Sequence, residues 1–223
     1  MKIIGHRGAR GLAAENTLVS FHKAIEHGVD EIEFDVRVSK DGVAIVHHDA
    51  ELHDPAGNHL VIGATKYADL LAHKPDLPTF EAAMRGINKA VPVLIEVKPG
   101  IPAEPVIAVI HKLRADGWQD SDMSLGSFSQ PLLRELHTAL PTIPKVVNES
   151  WSGVRATYRA RQLNTKRVNM NRFWLWPGFI KAMQKSGYQL APYTLNDPKQ
   201  AARWAKHGIC AVITDYPDRF QKK

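Results

Sequence analysis

The sequence predicts an α/β fold, a (β/α)8 barrel with a small insertion after the second strand. Short apolar runs alternate with longer amphipathic stretches, the runs reduce to eight strand positions, and polar clusters close one run after another. The candidate strands are Lys2–Gly5, Asp30–Val38, Val43–His47, Val91–Val97, Met123–Gly126, Lys145–Val147, Val168–Met170, Gln189–Tyr193 and Ala211–Thr214. Asp30–Val38 and Val43–His47 are close enough to form one hairpin-like element, which leaves eight positions. The candidate helices are Thr17–His27, Thr79–Lys89, Glu104–Asp116, Pro131–Leu140, Gly153–Leu163, Pro177–Ser186 and Pro198–His207. Thr17 or Asn16 caps the first and Gly28 ends it; Asp197 precedes Pro198 as an N-cap, and Gly187 and Gly208 follow C-terminal turns. An open doubly wound sheet is the main rival. The barrel is preferred because barrel enzymes gather their chemistry at the strand C-termini, where these polar clusters fall. Residues 49–78 are polar, contain Pro and Gly, and lack a strong period, which reads as a lid or insertion within one domain spanning 1–223.

With 44% hydrophobic residues the chain can bury a sizeable core. Its +6 charge is dispersed and no groove-reading module occurs, so no nucleic-acid partner is expected. The excess reads as solvated surface, with attraction of anionic substrates as the alternative. Cys210 is the only cysteine, which excludes an intrachain disulfide and fits a reducing compartment. Its place in Ile209–Ile213 predicts a small buried hydrophobe. His6 and Arg7 arrive after only five residues, which leaves no room for a leader, and no run is long enough to span a bilayer. A cytoplasmic location is expected.

Three polar pairs sit at the ends of apolar runs: His6-Arg7, Glu33-x-Asp35 and Glu96-x-Lys98, joined by His47-His48-Asp49. Alternate strand residues share a face, so Glu33 and Asp35 point together while Phe34 faces the helices. Glu96 and Lys98 repeat this pattern. Three carboxylate ligands favour Mg2+ or Ca2+ over zinc, whose sites lean on His and Cys. The competing reading pairs the carboxylates with Arg7, Arg37 and Lys98 as rim salt bridges; their joint appearance on strand ends favours a metal. Three carboxylates against Arg7 and Lys98 leave a net negative site, and one divalent ion reverses that sign to suit a phosphodiester. Arg7 grips phosphate with a fork of donors, whereas Lys98 acts as a point charge. His6 and either His47 or His48 suit proton transfer near neutrality. Phe128 and Tyr193 fall where they can wall a pocket. Trp174 and Trp176 are read as core packing rather than an exposed lip, and Asp215 as a helix cap.

The chain resembles the glycerophosphodiester phosphodiesterase family over essentially its whole length. The matching pieces are His6-Arg7-Gly8, Glu15-Asn16-Thr17, Glu33-Phe34-Asp35-Val36, His48-Asp49 followed by Leu52, Leu77-Pro78-Thr79-Phe80-Glu81, Glu96-Val97-Lys98, Ser127-Phe128 and Ile213-Thr214-Asp215-Tyr216-Pro217. The resemblance implies a (β/α)8 barrel and a metal on Glu33, Asp35 and Glu96. It implies acid/base roles for His6 and His48, choosing His48 over His47, and phosphate binding by Arg7 and Lys98. The reaction implied is hydrolysis of glycerophosphodiesters to glycerol 3-phosphate and an alcohol, directly or through a cyclic phosphate that water opens. The departures are Ala14 for a usual Pro, Leu52-His53-Asp54-Pro55 for Leu-x-Arg-Thr, and Tyr193-Thr194-Leu195-Asn196 for Trp-Thr-x-Asn. They bear on the leaving group rather than the reaction. Alternatives are lysophospholipase D-like action on a lipid, with Phe173–Trp176 as the apolar surface, a metal-dependent lyase, or an inactive phosphate-binding barrel. The alcohol and the oligomeric state are not fixed by the sequence.

Overall fold

The computed structural model describes residues 1–53, 57 and 59–220. Eight parallel strands form the barrel: β1 (Lys2–His6), β2 (Glu31–Val38), β6 (Val93–Val97), β7 (Met123–Ser127), β8 (Lys145–Glu149), β9 (Arg167–Asn171), β10 (Gln189–Tyr193) and β11 (Ala211–Thr214). Their order around the sheet is β10-β9-β8-β7-β6-β2-β1-β11. The seam is closed by single bonds rather than a ladder: Cys210 N–H donates to Leu190 C=O (3.2 Å) and Leu195 N–H to Ile213 C=O (2.9 Å). Short β3 (Ala44–Val46) runs antiparallel to β2, with Val36 opposite Val46, as the hairpin-like reading expects.

The crossover helices are α1 (Leu18–Glu26), α3 (Phe80–Ile87), α4 (Glu104–Ala115), α5 (Gln130–Ala139), α6 (Gly153–Gln162), α7 (Pro177–Lys185) and α8 (Pro198–Ala205). Their starts follow the capping chemistry. Thr17, Thr79, Ser129 and Asp197 each accept a hydrogen bond from a backbone N–H in the first turn that would otherwise be orphaned. Outward-facing strand residues bury against these helices. Phe34 on β2 lies 5.4 Å from the Phe21 ring of α1 and 5.9 Å from Phe80 of α3, all three with no exposed surface.

The insertion is more regular than its sequence suggests. It holds the hairpin β4 (Glu51–His53) and β5 (His59–Val61), a 3-10 turn over Ile62–Ala64, and α2 (Tyr67–His73). Isolated apolar residues, Leu52, Ile62, Leu70 and Leu77, pack on Ile45 as a satellite core. Four buried apolar residues spread over thirty positions give no period, which is why the segment reads as irregular. Asp54 and Pro55 lie outside the described residues.

At the N-terminal end of the barrel, Arg167 Nη2 contacts both Glu31 oxygens (3.0 and 2.8 Å) and Ser124 Oγ donates to Glu31 Oε1 (3.0 Å). This polar cluster sits at the mouth opposite the strand C-termini, where Glu31 and Arg167 line a second cavity with Lys2 and Gln189. Cys210 departs from expectation: β11 begins one residue later, and Cys210 is exposed, its thiol donating to Leu190 C=O (3.3 Å). Among the described residues, no helix is long and apolar enough to cross a membrane.

Candidate active site

A cavity of about 200 Å³ opens at the C-terminal ends of the strands. It is lined by all nine residues singled out in the sequence: His6, Arg7, Glu33, Asp35, His48, Glu96, Lys98, Phe128 and Tyr193. β1 delivers His6, β2 delivers Glu33 and Asp35, and β6 delivers Glu96, with Lys98 one residue beyond its end. The register explains the convergence. His6 pairs with Glu33 across β1 and β2, and Asp35 with Glu96 across β2 and β6. Side chains opposite one another in adjacent strands share a face.

Glu33, Asp35 and Glu96 each present an oxygen within 4.8 Å of the other two. All three are buried, so their charges need partners. Lys98 Nζ supplies two contacts, to Asp35 Oδ1 at 2.6 Å and to Glu96 Oε1. Arg7 adds Nε at 3.2 Å from Asp35 Oδ2, and its backbone N–H donates to Glu33 Oε2 (2.9 Å). Side-chain amides add to these: Asn16 Nδ2 donates to Asp35 Oδ2 (2.9 Å) and Asn148 Nδ2 to Glu96 Oε2 (2.8 Å). Asn169 in turn donates to Asn148 Oδ1 (3.0 Å).

The protonation balance follows from these partners. Burial raises Asp35, but Lys98 and Arg7 outweigh it and hold the carboxyl at about 2. Glu33 goes the other way, pushed well above the carboxylate range by burial and by the charges of Asp35 and Glu96. Glu96 is also raised, by burial and Asp35, against the pull of Lys98. With all three ionised the carboxylates outnumber Lys98 and Arg7 by one charge, an excess that the raised Glu33 and Glu96 resist. An all-oxygen donor set with a surplus of negative charge fits a hard divalent cation.

His6 Nδ1 lies 2.6 Å from Asp215 Oδ1, and Asn196 Nδ2 donates to Asp215 Oδ2 (2.9 Å). The carboxylate fixes Nδ1 as the donor, which leaves Nε2 for the cavity. His48 Nδ1 lies 2.7 Å from Asp49 Oδ1, and its side chain is 36% exposed. Burial lowers its pKa below the usual 6.5, opposed by Asp35. His47 does not line the cavity; its Nδ1 contacts Asp49 C=O at 3.2 Å. Phe128 and Tyr193 meet edge to face with centroids 6.0 Å apart, and burial pushes the Tyr193 hydroxyl up to about 12.

The profile of the glycerophosphoryl diester phosphodiesterase family matches residues 6–219. The chain belongs to this family. A Bacillus subtilis glycerophosphodiester phosphodiesterase is 28% identical to this family member, covering 98% of this chain and 85% of the relative. A solved Oleispira antarctica phosphodiesterase, in complex with the product sn-glycerol-3-phosphate, superposes with a TM-score of 0.87 at 27% identity, covering 99% and 95% of the two chains. A Rattus norvegicus lysophospholipase D is 35% identical over 107 residues, 46% of this chain and 34% of that protein.

Several expectations need correction. Asp215 orients His6 rather than capping a helix, because it follows the last strand directly and that strand is hydrogen-bonded to β1. Asn16 holds Asp35, leaving the cap to Thr17. Arg37 is engaged elsewhere, its Nε donating to His48 C=O (2.8 Å). Trp174 and Trp176 are 48% and 62% exposed and belong to a lip rather than the core. Arg10 and Asn148 line the cavity and were missed. Asn148 had the right signal, a polar residue just after Val146-Val147, but the expected strand stops one residue short of it.

Proposed function

We propose that the chain hydrolyses glycerophosphodiesters to sn-glycerol 3-phosphate and an alcohol, using one Mg2+ or Ca2+ held by Glu33, Asp35 and Glu96. The enzyme class follows from family membership. The convergence of three buried carboxylates, two cations and two imidazoles in one cavity carries the residue assignments. When bound, the cation supplies positive charge to the phosphoryl oxygens as negative charge builds there. Arg7 and Lys98 bind the phosphate, the first as a planar donor fork and the second as a point charge. His6 and His48 move the protons: one takes a proton from the attacking oxygen, the other gives one to the departing alkoxide. Asp215 holds His6 in the tautomer that leaves Nε2 for this work. Phe128 and Tyr193 wall the cavity. The single cysteine supports a cytoplasmic setting.

Chelation should abolish turnover, and Mg2+ or Ca2+ should restore it, read by coupled detection of glycerol 3-phosphate. Full turnover in excess chelator would refute the metal assignment.

A second reading, hydrolysis of a lipid phosphodiester, is favoured by one observation. Trp151, Phe173, Trp174 and Trp176 are all exposed in the segments following β8 and β9, whose Asn148 and Asn169 line the cavity, and the Trp151 and Trp174 rings touch edge to face. Exposed aromatic clusters of this kind mark interaction sites. The comparison is glycerophosphocholine against its lysolipid analogue, in the parent and in W174S/W176S. Preference for the lysolipid, lost in the double variant, establishes the second reading; preference for glycerophosphocholine in both proteins establishes the first.

A further inference from the structure

The insertion carries a second cluster of ligating side chains, away from the cavity. In the β4–β5 hairpin, His53 lies directly opposite His59, and Glu51 precedes His53 by two residues on the same strand. Strand alternation puts all three side chains on one face. The other face carries Leu52, 2% exposed and packed with Leu60 into the satellite core. That packing fixes which face looks outward, and Glu51, His53 and His59 are all exposed. The two imidazole rings meet edge to face with centroids 4.3 Å apart. His59 Nδ1 stands 3.7 Å from Glu51 Oε2. One ligating atom from each residue lies within 4.8 Å of the other two.

We infer that Glu51, His53 and His59 form a second metal site, selective for a borderline transition ion such as Zn2+. Two imidazoles and a carboxylate are a donor set that Zn2+ takes at about 2.0–2.2 Å per ligand, with water in the fourth position at an exposed site. Tetrahedral bonding at those lengths sets ligand atoms about 3.4 Å apart. The His59–Glu51 separation is already near that value, and side-chain rotation closes the rest. Mg2+ keeps its waters and prefers oxygen, so it does not compete for this trio. The two sites thus differ in kind: oxygen donors buried in the barrel mouth, nitrogen-rich donors exposed on the insertion. Without an ion, an exposed His–Glu pair stabilises the hairpin little. With one, β4 and β5 are cross-linked.

The test is calorimetric titration of Zn2+ into full-length E33Q/E96Q, in which the barrel-mouth trio is disabled. One equivalent should bind, and adding H53Q and H59Q should weaken it at least ~10-fold, as expected when metal ligands are lost. Hydrogen exchange on the parent chain gives a second readout that does not depend on the barrel-mouth variant. Zn2+, and not Mg2+, should slow exchange of the β4 and β5 amides, and H53Q/H59Q should remove the effect while hydrolysing glycerophosphocholine in Mg2+ as the parent does. Zn2+ binding that survives H53Q/H59Q, or β4 and β5 amides indifferent to Zn2+, overturns the assignment. Neither result depends on whether the barrel mouth hydrolyses phosphodiesters.

Discussion

At the scale of single residues, the site is a problem of charges placed where water cannot reach them. Asp35 and Glu33 are two positions apart on one strand, yet they are driven in opposite directions because Lys98 and Arg7 lie on the Asp35 side. Such asymmetry is not written in a Glu-x-Asp spacing; it depends on which neighbour each carboxylate meets. His6 shows the same limit. Its position at a strand end marks it as a candidate, but the partner that fixes its tautomer lies at the far end of the chain. Replacing that partner by Asn, D215N, puts a neutral amide in place of the charged acceptor, and its NH2 can turn to the ring and select the wrong tautomer. We expect kcat to fall about 10²–10⁴-fold with little change in KM, the scale of losing one acid/base group. His48 has a pH signature. Burial lowers its pKa below 6.5, so at pH 7 it is neutral and competent as a base. The neutral form is lost as pH falls, so the acid limb of kcat/KM that His48 governs should lie below pH 6.5 and vanish in H48Q. A limb centred above pH 7 would remove His48 from that role.

At the scale of elements, local signals were legible wherever one residue type had one job. Thr79 opens the expected helix Thr79–Lys89 and proves to be its N-cap, accepting from Ala82 N–H at 3.1 Å. T79A should cost about 1 kcal/mol in denaturant unfolding, with activity unchanged. Strand ends were legible too, because a charged residue closing an apolar run conflicts with turn chemistry and so announces a purpose. Asn148 escaped because the expected strand ended at Val147, and an uncharged amide placed after it does not conflict with turn chemistry. The insertion escaped for a different reason: its strands are three residues long, and each places one apolar side chain in the satellite core. Periodicity needs more repeats than that to stand out.

At the scale of the whole molecule, the barrel separates its two ends. One mouth holds the nine residues of the candidate site, and the other carries the polar cluster of Glu31, Ser124 and Arg167 beside a separate cavity. Substitution in that cluster should touch stability and leave chemistry alone. R167A strands the Glu31 carboxylate, whose side chain is 5% exposed, and should cost about 2–3 kcal/mol in unfolding while kcat holds. A fall in kcat at full stability would show that the two ends are coupled. The barrel itself was legible because eight strand positions alternating with helices leave few topologies open. The seam was not, since closure depends on accumulated twist and stagger rather than on any residue pair. The bond between His6 and Asp215 carries a consequence for synthesis. On the ribosome the first barrel strand, with its imidazole, is made well before the last, which brings the carboxylate that aims it. Until that strand is in place the nascent barrel has every metal ligand but an unaimed His6, so hydrolysis waits on its completion.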